Sequence, residues 1–454
     1  MCDGKLVIGG TMDLTWWRGS IRPDDAPSFG PSLTRFVPGR TGPGFTDNLD
    51  DLAAAMLQHG DAALDQHYGL WYDLRRDDHE RVRRMDGDVL PPFFEQPFAR
   101  SGQGTAWDGL SKYDLTKFNP WYWSRLKKFA DLGEERGLLL FNENYFQHNI
   151  IEAGAHWVDC PWRTANNINH TGFPEPPPFA GDKRIFMAAQ FYDPTNPAQR
   201  ALQRGFIRQN LDNFKGNDNV IQFTSAEFSG PLPFVQFWLD TVGEWKKENK
   251  HSRAIIALAA PKNVQDAILA DAKRAAIVDV IAFRYWWQTD KGLYAPDGGK
   301  NLSPRQWQRL LGGGTPSDLN LAAMAAEYRA KFPAKSVIAT SEQGLNLSRG
   351  GWAYVCAGGS MPNLPRTTDA TLLAAIPHLH PWKADSNKQQ WALRENGKQI
   401  LAYGGGEVDL SDETGSYRVN TVNTKTGAVA PGETVNAGSK IKLPDATVVW
   451  LTRK

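Results

Sequence analysis

Val220-Ile221-Gln222-Phe223-Thr224-Ser225-Ala226-Glu227 is a short apolar run that ends in a carboxylate, and segments of a different period flank it. Upstream, residues 197–214 (PAQRALQRGFIRQNLDNF) carry apolar side chains at helical spacing, and residues 234–249 (FVQFWLDTVGEWKKEN) do so downstream. A run this short between two helices reads as a buried strand. The pattern repeats outward in both directions. Residues 119–136 are helical and close at Gly137, and Leu138–Phe141 is a strand leading into Asn142-Glu143-Asn144-Tyr145. Beyond the centre come strand 254–258, helix 264–275, strand 278–283, helix 319–332 and strand 336–340, which runs on into Ser341-Glu342. Strands alternating with helices predict a parallel sheet with crossover helices.

The first third and the end of this region complete the count. Leu33–Val37 reads as strand one, Asn48–His59 as the first helix and Ala62–His67 as strand two. Trp352–Ala357 reads as a late helix, Met361–Leu364 as the last strand and Asp369–Ile376 as the closing segment. The expected fold is therefore α/β, a (β/α)8 TIM barrel over residues 1–385. From about residue 387 the pattern changes to short strands at 391–397, 398–403, 417–422 and 447–451, separated by turn residues such as Asn396-Gly397 and Gly427. That predicts a small antiparallel β-sandwich domain over residues 386–454, either a cap on the barrel or a carbohydrate-binding module.

Composition removes several function classes. The 51 Lys and Arg balance 50 Asp and Glu, so nothing points to a nucleic-acid partner or an anionic membrane surface. No stretch has the apolar length of a membrane span. Cys2, Cys160 and Cys356 lack disulfide or metal-ligand spacing and read as free thiols. Met1-Cys2-Asp3-Gly4 lacks the basic start and apolar segment of a leader; a periplasmic or secreted location is expected if one was removed upstream. The chain holds 17 Trp, 12 Tyr and 22 Phe, a heavy load that reads either as a large aromatic core or, for flat rings such as Trp286, as surfaces suited to the CH-rich faces of sugars.

Chemistry concentrates where strands end, because the C-terminal ends of barrel strands line the active-site face. Glu227 and Glu342 both follow such ends, and two carboxylates there can divide acid/base and nucleophile roles in glycoside cleavage. Glu143 is a third strand-end carboxylate, a rival for either role or a ligand for substrate hydroxyls beside Asn142 and His148. Three long connections, 68–117, 143–196 and 284–317, leave the same face and read as functional loops. The first carries a dense polar stretch from Asp65 to His79. Its Arg75 and Arg76 pair with Asp77 and Asp78 or bind an acidic sugar, and His67 and His79 with these acids are a weaker metal-ligand alternative. In the second, Arg163, Asn166, Asn167 and His170 form a polar cluster expected at a pocket rim.

Glu227 in Glu-Phe-Ser-Gly, Glu342 in Ser-Glu-Gln-Gly and the terminal β-domain together resemble clan A retaining glycoside hydrolases. Trp352-Ala-Tyr-Val-Cys-Ala-Gly-Gly is similar to the helix after strand seven in apiosidase-like members of that clan. The resemblance implies that Glu227, after strand four, is the acid/base and Glu342, after strand seven, the nucleophile. It further implies that Tyr285 lies near the nucleophile, that the substrate is an oligosaccharide or polysaccharide, and that neither metal nor organic cofactor is needed. Trp286 and Trp352 are candidate sugar contacts. One departure stands out: Ala226 precedes Glu227 where clan members commonly carry an Asn that touches the sugar 2-hydroxyl. That departure keeps open a second reading, a carbohydrate-binding protein on a barrel without chemistry.

Overall fold

The alternation read from the sequence becomes one parallel strand series followed by an antiparallel domain. The computed structural model describes residues 6–13, 49–68, 96–107, 109–147, 150, 157, 160–175, 183–226, 228, 230–283, 287–289, 292–294, 318–339 and 351–454. In chain order the first elements are β1 (Gly10–Asp13), α1 (Leu49–His59), β2 (Asp61–Gln66), β3 (Phe98–Arg100), β4 (Tyr113–Phe118), α2 (Pro120–Arg136) and β5 (Leu139–Phe146). They continue with α3 (Lys183–Phe191), α4 (Pro197–Asp212), β6 (Val220–Ala226), α5 (Leu232–Glu248), β7 (Ile255–Ala259), α6 (Lys262–Ala270) and α7 (Ala272–Ala275). The series ends with β8 (Val280–Phe283), β9 (Trp287–Thr289), β10 (Gly292–Tyr294), α8 (Asp318–Lys331), β11 (Ser336–Ala339), α9 (Trp352–Cys356), β12 (Gly359–Ser360) and α10 (Ala370–Ala375).

Among the described residues, eight strands share one sheet in the order β1-β2-β5-β6-β7-β8-β11-β12. The pairs β2–β5, β5–β6, β6–β7, β8–β11 and β11–β12 are parallel. This is the strand order of a (β/α)8 barrel. The chain divides into two compact units, one of residues 11–278 and 295–307, the other of residues 1–10, 279–294 and 308–454.

In the first unit, β2, β5, β6 and β7 carry the helices on one side. Asn196 starts α4: its side chain accepts from the Ala198 and Gln199 amides at 3.1 and 3.2 Å, and Pro197 takes the first helical position, where no amide hydrogen is missed. Phe206 of α4 sits at the centre of an aromatic cluster with Tyr68, Phe98, Trp123, Tyr145 and Trp162. Among the described residues of this unit, these six rings are all core.

In the second unit β8, β11 and β12 pair in parallel, and the segment before β1 joins them. The Val7 amide donates to Ser360 Oγ at 3.3 Å, and the Met361 amide donates to the Val7 carbonyl at 2.6 Å. Expected strand one, Leu33–Val37, lies outside the described residues, and the first sheet position belongs to Gly10–Asp13. The last strand is Gly359–Ser360 rather than Met361–Leu364, since its register with Val337 and Ile338 ends at Ser360.

The C-terminal domain opens with β13 (His380–Asp385), β14 (Gln390–Glu395), β15 (Gln399–Tyr403) and β16 (Gly406–Asp409). It closes with β17 (Ser416–Val422), β18 (Val429–Asn436), β19 (Lys440–Leu443) and β20 (Val448–Arg453). Six of these form one antiparallel sheet, β13-β14-β15-β20-β17-β18, and β16 pairs with β19 in a second. Ile400, Ala402, Val449 and Leu451 of the first sheet pack against Val408, Leu410 and Leu443 from the second, so the expected sandwich is present with one narrow layer. Leu451 is fully buried in this small core. Leu451→Ala is expected to cost about 2–5 kcal/mol of domain stability, read as a lower melting transition by tryptophan fluorescence.

Candidate active site

The pleat of β2, β5 and β6 sorts their polar residues onto two faces. On the helix side, Gln66 Nε2 donates to Tyr122 Oη of α2 at 3.2 Å. Asn142 Nδ2 donates to both Asn210 Oδ1 of α4 and Gln222 Oε1 of β6, each at 2.9 Å. Asn144 Nδ2 reaches the same Gln222 oxygen at 2.9 Å, while its own Oδ1 accepts from Trp238 Nε1 of α5 at 2.9 Å. These side chains are all buried. The expectation that Asn142 binds substrate is therefore corrected. Both of its amide hydrogens are spent joining the sheet to the helix layer.

Alternation turns Asp65 of β2 and Glu143 of β5 to the opposite face, and His67 directly follows β2. Glu143 is 2% exposed and His67 3% exposed. The register of the two strands sets Asp65 beside Phe141 and Gln66 beside Asn142, where the pairing ends. The imidazole lies flat on Phe146, centroids 4.1 Å apart and planes 6° apart. Its Nδ1 is 3.1 Å from the Tyr68 carbonyl. A carbonyl only accepts, so Nδ1 carries the proton in that bond, and the ring is fixed in both plane and tautomer.

Residues 160–175 of the connection after β5 form a roof over part of this unit: Trp162 packs on Tyr145 and Phe206, and Tyr68, Tyr145, Tyr192, Cys160 and Trp162 are all buried. Burial pushes the Tyr68, Tyr145 and Tyr192 phenols up; for Tyr68 and Tyr192 the neighbouring Cys160 and Tyr145 add to the effect. Tyr192 Oη donates to Gln147 Oε1 at 3.1 Å, and Ser225 of β6 bonds the same phenol.

The roof is tied to the β3–β4 hairpin. Asn169 Oδ1 accepts from the Leu115 amide at 2.7 Å, and Asn169 Nδ2 donates to Asp114 Oδ1 at 3.3 Å. Burial alone would raise the Asp114 carboxyl, but bonds from Thr116, Asn169 and Lys117 outweigh it and hold its pKa below the ordinary value. The rim cluster expected here is mostly internal. Asn167 Nδ2 faces the carbonyls of Pro161, Trp162 and Arg163, Asn166 Nδ2 donates to the Cys160 carbonyl, and Arg163 pairs with Glu175 at 2.8 Å. His170 alone of the four is exposed, at a left-handed φ of 50°.

In the other unit, the end of β11 is held by Tyr354 of α9. Its fully buried phenol oxygen accepts from the Ala339 amide at 2.8 Å and donates to the Ser360 carbonyl at 2.9 Å. Burial raises this phenol's pKa well past its usual range. Gly359 is required beside it, because a Cβ there would stand 2.2 Å from the Tyr354 ring.

Trp352, expected as a sugar contact, is 2% exposed, and its Nε1 donates to the Thr424 carbonyl of the C-terminal domain at 3.1 Å. It is corrected to a packing residue. Glu227, Glu342, Tyr285, Trp286, His148, Arg75 and Arg76 lie outside the described residues, as do Asp77, Asp78 and His79. In sequence, Glu227 immediately follows β6, the fourth strand in sheet order, and Glu342 comes three residues after β11, the seventh. Among the described residues, no group of three or more His, Cys, Asp and Glu is arranged to hold a metal ion, and no helix is long and apolar enough to cross a membrane.

The order of strands and helices defines a (β/α)8-barrel protein with an appended β-domain. The chain belongs to the family described as a domain of unknown function, DUF6298, whose family model matches residues 1–379. That match ends where β13 begins. No curated protein matches. A solved structure described as "Glycoside hydrolase" is 11% identical, with 100% of this chain and 97% of that one covered and a TM-score of 0.49. A glycoside hydrolase family 5 protein from Bacteroides vulgatus ATCC 8482 is 10% identical over 99% and 94% of the two chains, with a TM-score of 0.47. Endo-glycoceramidase II from Rhodococcus sp. is 13% identical over 100% and 98%, with a TM-score of 0.38.

The hairpin–roof tie has a definite pH signature. The Asp114 carboxyl is less basic folded than unfolded, so its stabilisation is complete above the ordinary carboxylate pKa of about 4 and is lost as pH falls through the lower folded value. Melting temperatures of the parent and Asp114→Asn should differ by a constant amount from pH 7 to 5 and converge below about pH 4. A gap that persists unchanged at low pH is the contrary result.

Proposed function

We propose that this chain is a retaining glycoside hydrolase acting on a plant or microbial oligosaccharide or polysaccharide, from the chain end. The observation that supports it most is the position of two glutamates in strand order: Glu227 directly after the fourth strand of the parallel series and Glu342 just after the seventh. Carboxylates after parallel strands of a barrel stand on its reactive face, and two of them suffice for double displacement.

In the first step the Glu342 carboxylate attacks the anomeric carbon while the Glu227 carboxyl protonates the departing glycosidic oxygen. The bond formed is a glycosyl ester on Glu342 and the bond broken is the one to the leaving sugar. In the second step Glu227, now ionised, takes a proton from water as the water oxygen displaces Glu342. The anomeric configuration is kept. Glu227 must carry a proton near neutral pH, and burial together with the Glu342 charge would raise its pKa for that task.

Glu143 and His67 belong to the binding set. Glu143 lies on β5, next to the fourth strand, His67 directly follows the second, and both side chains can meet hydroxyl groups. With Ala226 in place of the Asn common before the acid/base residue, Glu143 is assigned to the sugar 2-hydroxyl. Tyr285 and Trp286 after the sixth strand, His148, and Arg75 and Arg76 after the second complete the proposed contacts, the arginines favouring an acidic sugar. Tyr354 acts one step removed, by fixing the end of β11 from which the chain runs to Glu342.

A screen of aryl glycosides and plant oligosaccharides for released monosaccharide identifies the substrate. Glu342→Gln should then lose on the order of 10³-fold or more in kcat, and Glu227→Gln about 10²–10⁴-fold. Azide should rescue Glu227→Ala with retained configuration and Glu342→Gly with inverted configuration. Sugar binding with no turnover in the parent protein would instead support the binding-protein reading that Ala226 keeps open.

Tyr354→Phe removes one hydroxyl and leaves the Ala339 amide and the Ser360 carbonyl without it. The expected result is kcat lowered about tenfold with KM little changed. Equal kcat values with only a lower melting temperature would make Tyr354 purely structural.

A further inference from the structure

We propose that Tyr192 is a positioning residue for the acid/base glutamate, Glu227, and holds the chain on both sides of it. The proposal rests on the hydrolase reading and adds a residue to which that reading gives no part. Tyr192 directly follows α3, in the connection between β5 and α4, and is buried. It lies in the same compact unit as β6.

Two contacts carry the inference. Before Glu227, the side chain of Ser225 in β6 bonds the Tyr192 phenol. After it, the ring of Phe228 meets the Tyr192 ring edge-on, with centroids 5.3 Å apart. Ser225 is two residues ahead of Glu227 and Phe228 is the next residue along. An extended chain covers at most about 3.6 Å per residue, and neighbouring Cα atoms are about 3.8 Å apart. One side chain therefore anchors the backbone within about 7 Å of Glu227 on one side and about 4 Å on the other.

The anchor is itself fixed. The Tyr192 amide donates to the Ala188 carbonyl at 2.9 Å, which ties it to α3. Its hydroxyl donates to Gln147 Oε1 at 3.1 Å, and a hydroxyl has one hydrogen, so the phenol oxygen accepts from Ser225. The ring packs on Phe191 and Phe234, with centroids 5.3 and 4.8 Å away. Phe228 is buried as well and packs on Phe234 at 6.2 Å. Gly230 makes room for it: a Cβ there would stand 2.4 Å from the Phe228 ring. The pairing of β6 with β5 ends at Ala226. Past that residue the chain is held again at Phe228, and Tyr192 is common to both holds. A general acid acts only within about 2.6–3.2 Å of the oxygen it protonates, so a small slackening here reaches the chemistry.

Initial-rate kinetics on the full chain, with phenyl and 2,4-dinitrophenyl glycosides of the monosaccharide that the parent releases, tests this. A phenolate needs a proton as it leaves and a dinitrophenolate does not, so only the first depends on a well-placed acid. Tyr192→Phe keeps the ring and removes the hydroxyl. It should lose about tenfold in kcat/KM on the phenyl glycoside and less than about twofold on the dinitrophenyl glycoside. Ser225→Ala removes the other end of the same bond and should give the same split, and the double variant should lose no more than either single one. A merely structural role lowers both substrates alike. Glu227→Gln sets the upper bound of the split. Equal losses on the two substrates, or no loss in either variant, would overturn the proposal and leave the hydrolase reading standing. A parent that turns over neither glycoside, or a Glu227→Gln variant without the split, would overturn that reading and the proposal with it.

Discussion

The alternation of side chains across β2, β5 and β6 is the constraint on which the candidate site depends. Every second residue must meet the helices, and here those residues are amides: Gln66, Asn142, Asn144 and Gln222. A buried amide left unbonded costs about 1–3 kcal/mol, so these four accept only the arrangement in which Tyr122, Asn210 and Trp238 are opposite them. A slip of one residue would turn them to the other face and drive Asp65 and Glu143 into the helix layer. The amide network therefore sets the register, and the register delivers the two carboxylates to the opposite face.

That dependence explains which parts were legible in the sequence. From residue 119 to 340 most strand and helix bounds expected from apolar period agree with the observed ones to within a few residues, because long crossover helices and fully buried strands leave strong patterns. The exceptions are β5, which runs on to Phe146, residues 264–275, which form two helices, and α3, β9 and β10, which lie in stretches read as loops. Strand one is four residues, Gly-Thr-Met-Asp, and strand eight is two, Gly-Ser. Neither carries an apolar run, and each is a strand only because a neighbour offers a ladder: β12 pairs with β11 over two residues. Four strands of the C-terminal domain were similarly opaque. The edge strands β13 and β18 are mostly exposed and contain Pro381 and Pro431, so neither alternates clearly.

What the sequence left illegible in this region is its amides. Asn142 has the composition of a ligand and the position of one, one residue before Glu143. Parity alone separates them, and parity is only informative once the helix side is known. Trp352 failed as a sugar contact for a related reason. An indole has one polar atom, and here the Thr424 carbonyl satisfies it inside the protein. The polar cluster at 163–170 is likewise a set of internal struts, since a long loop can fold over the sheet only if its backbone carbonyls find donors. Asn167 supplies one amide group to three of them.

The two units share a device for ending a strand. In the first, the buried Tyr192 phenol bonds the Ser225 side chain near the end of β6. In the second, Tyr354 bonds the last amide of β11 and a carbonyl of β12 with a single oxygen. Beyond the last ladder bond a strand has no regular partner, and a residue placed there inherits the freedom of the chain. A buried phenol removes that freedom more stiffly than water can, because its ring is clamped by packing and its pKa keeps it a donor at every physiological pH.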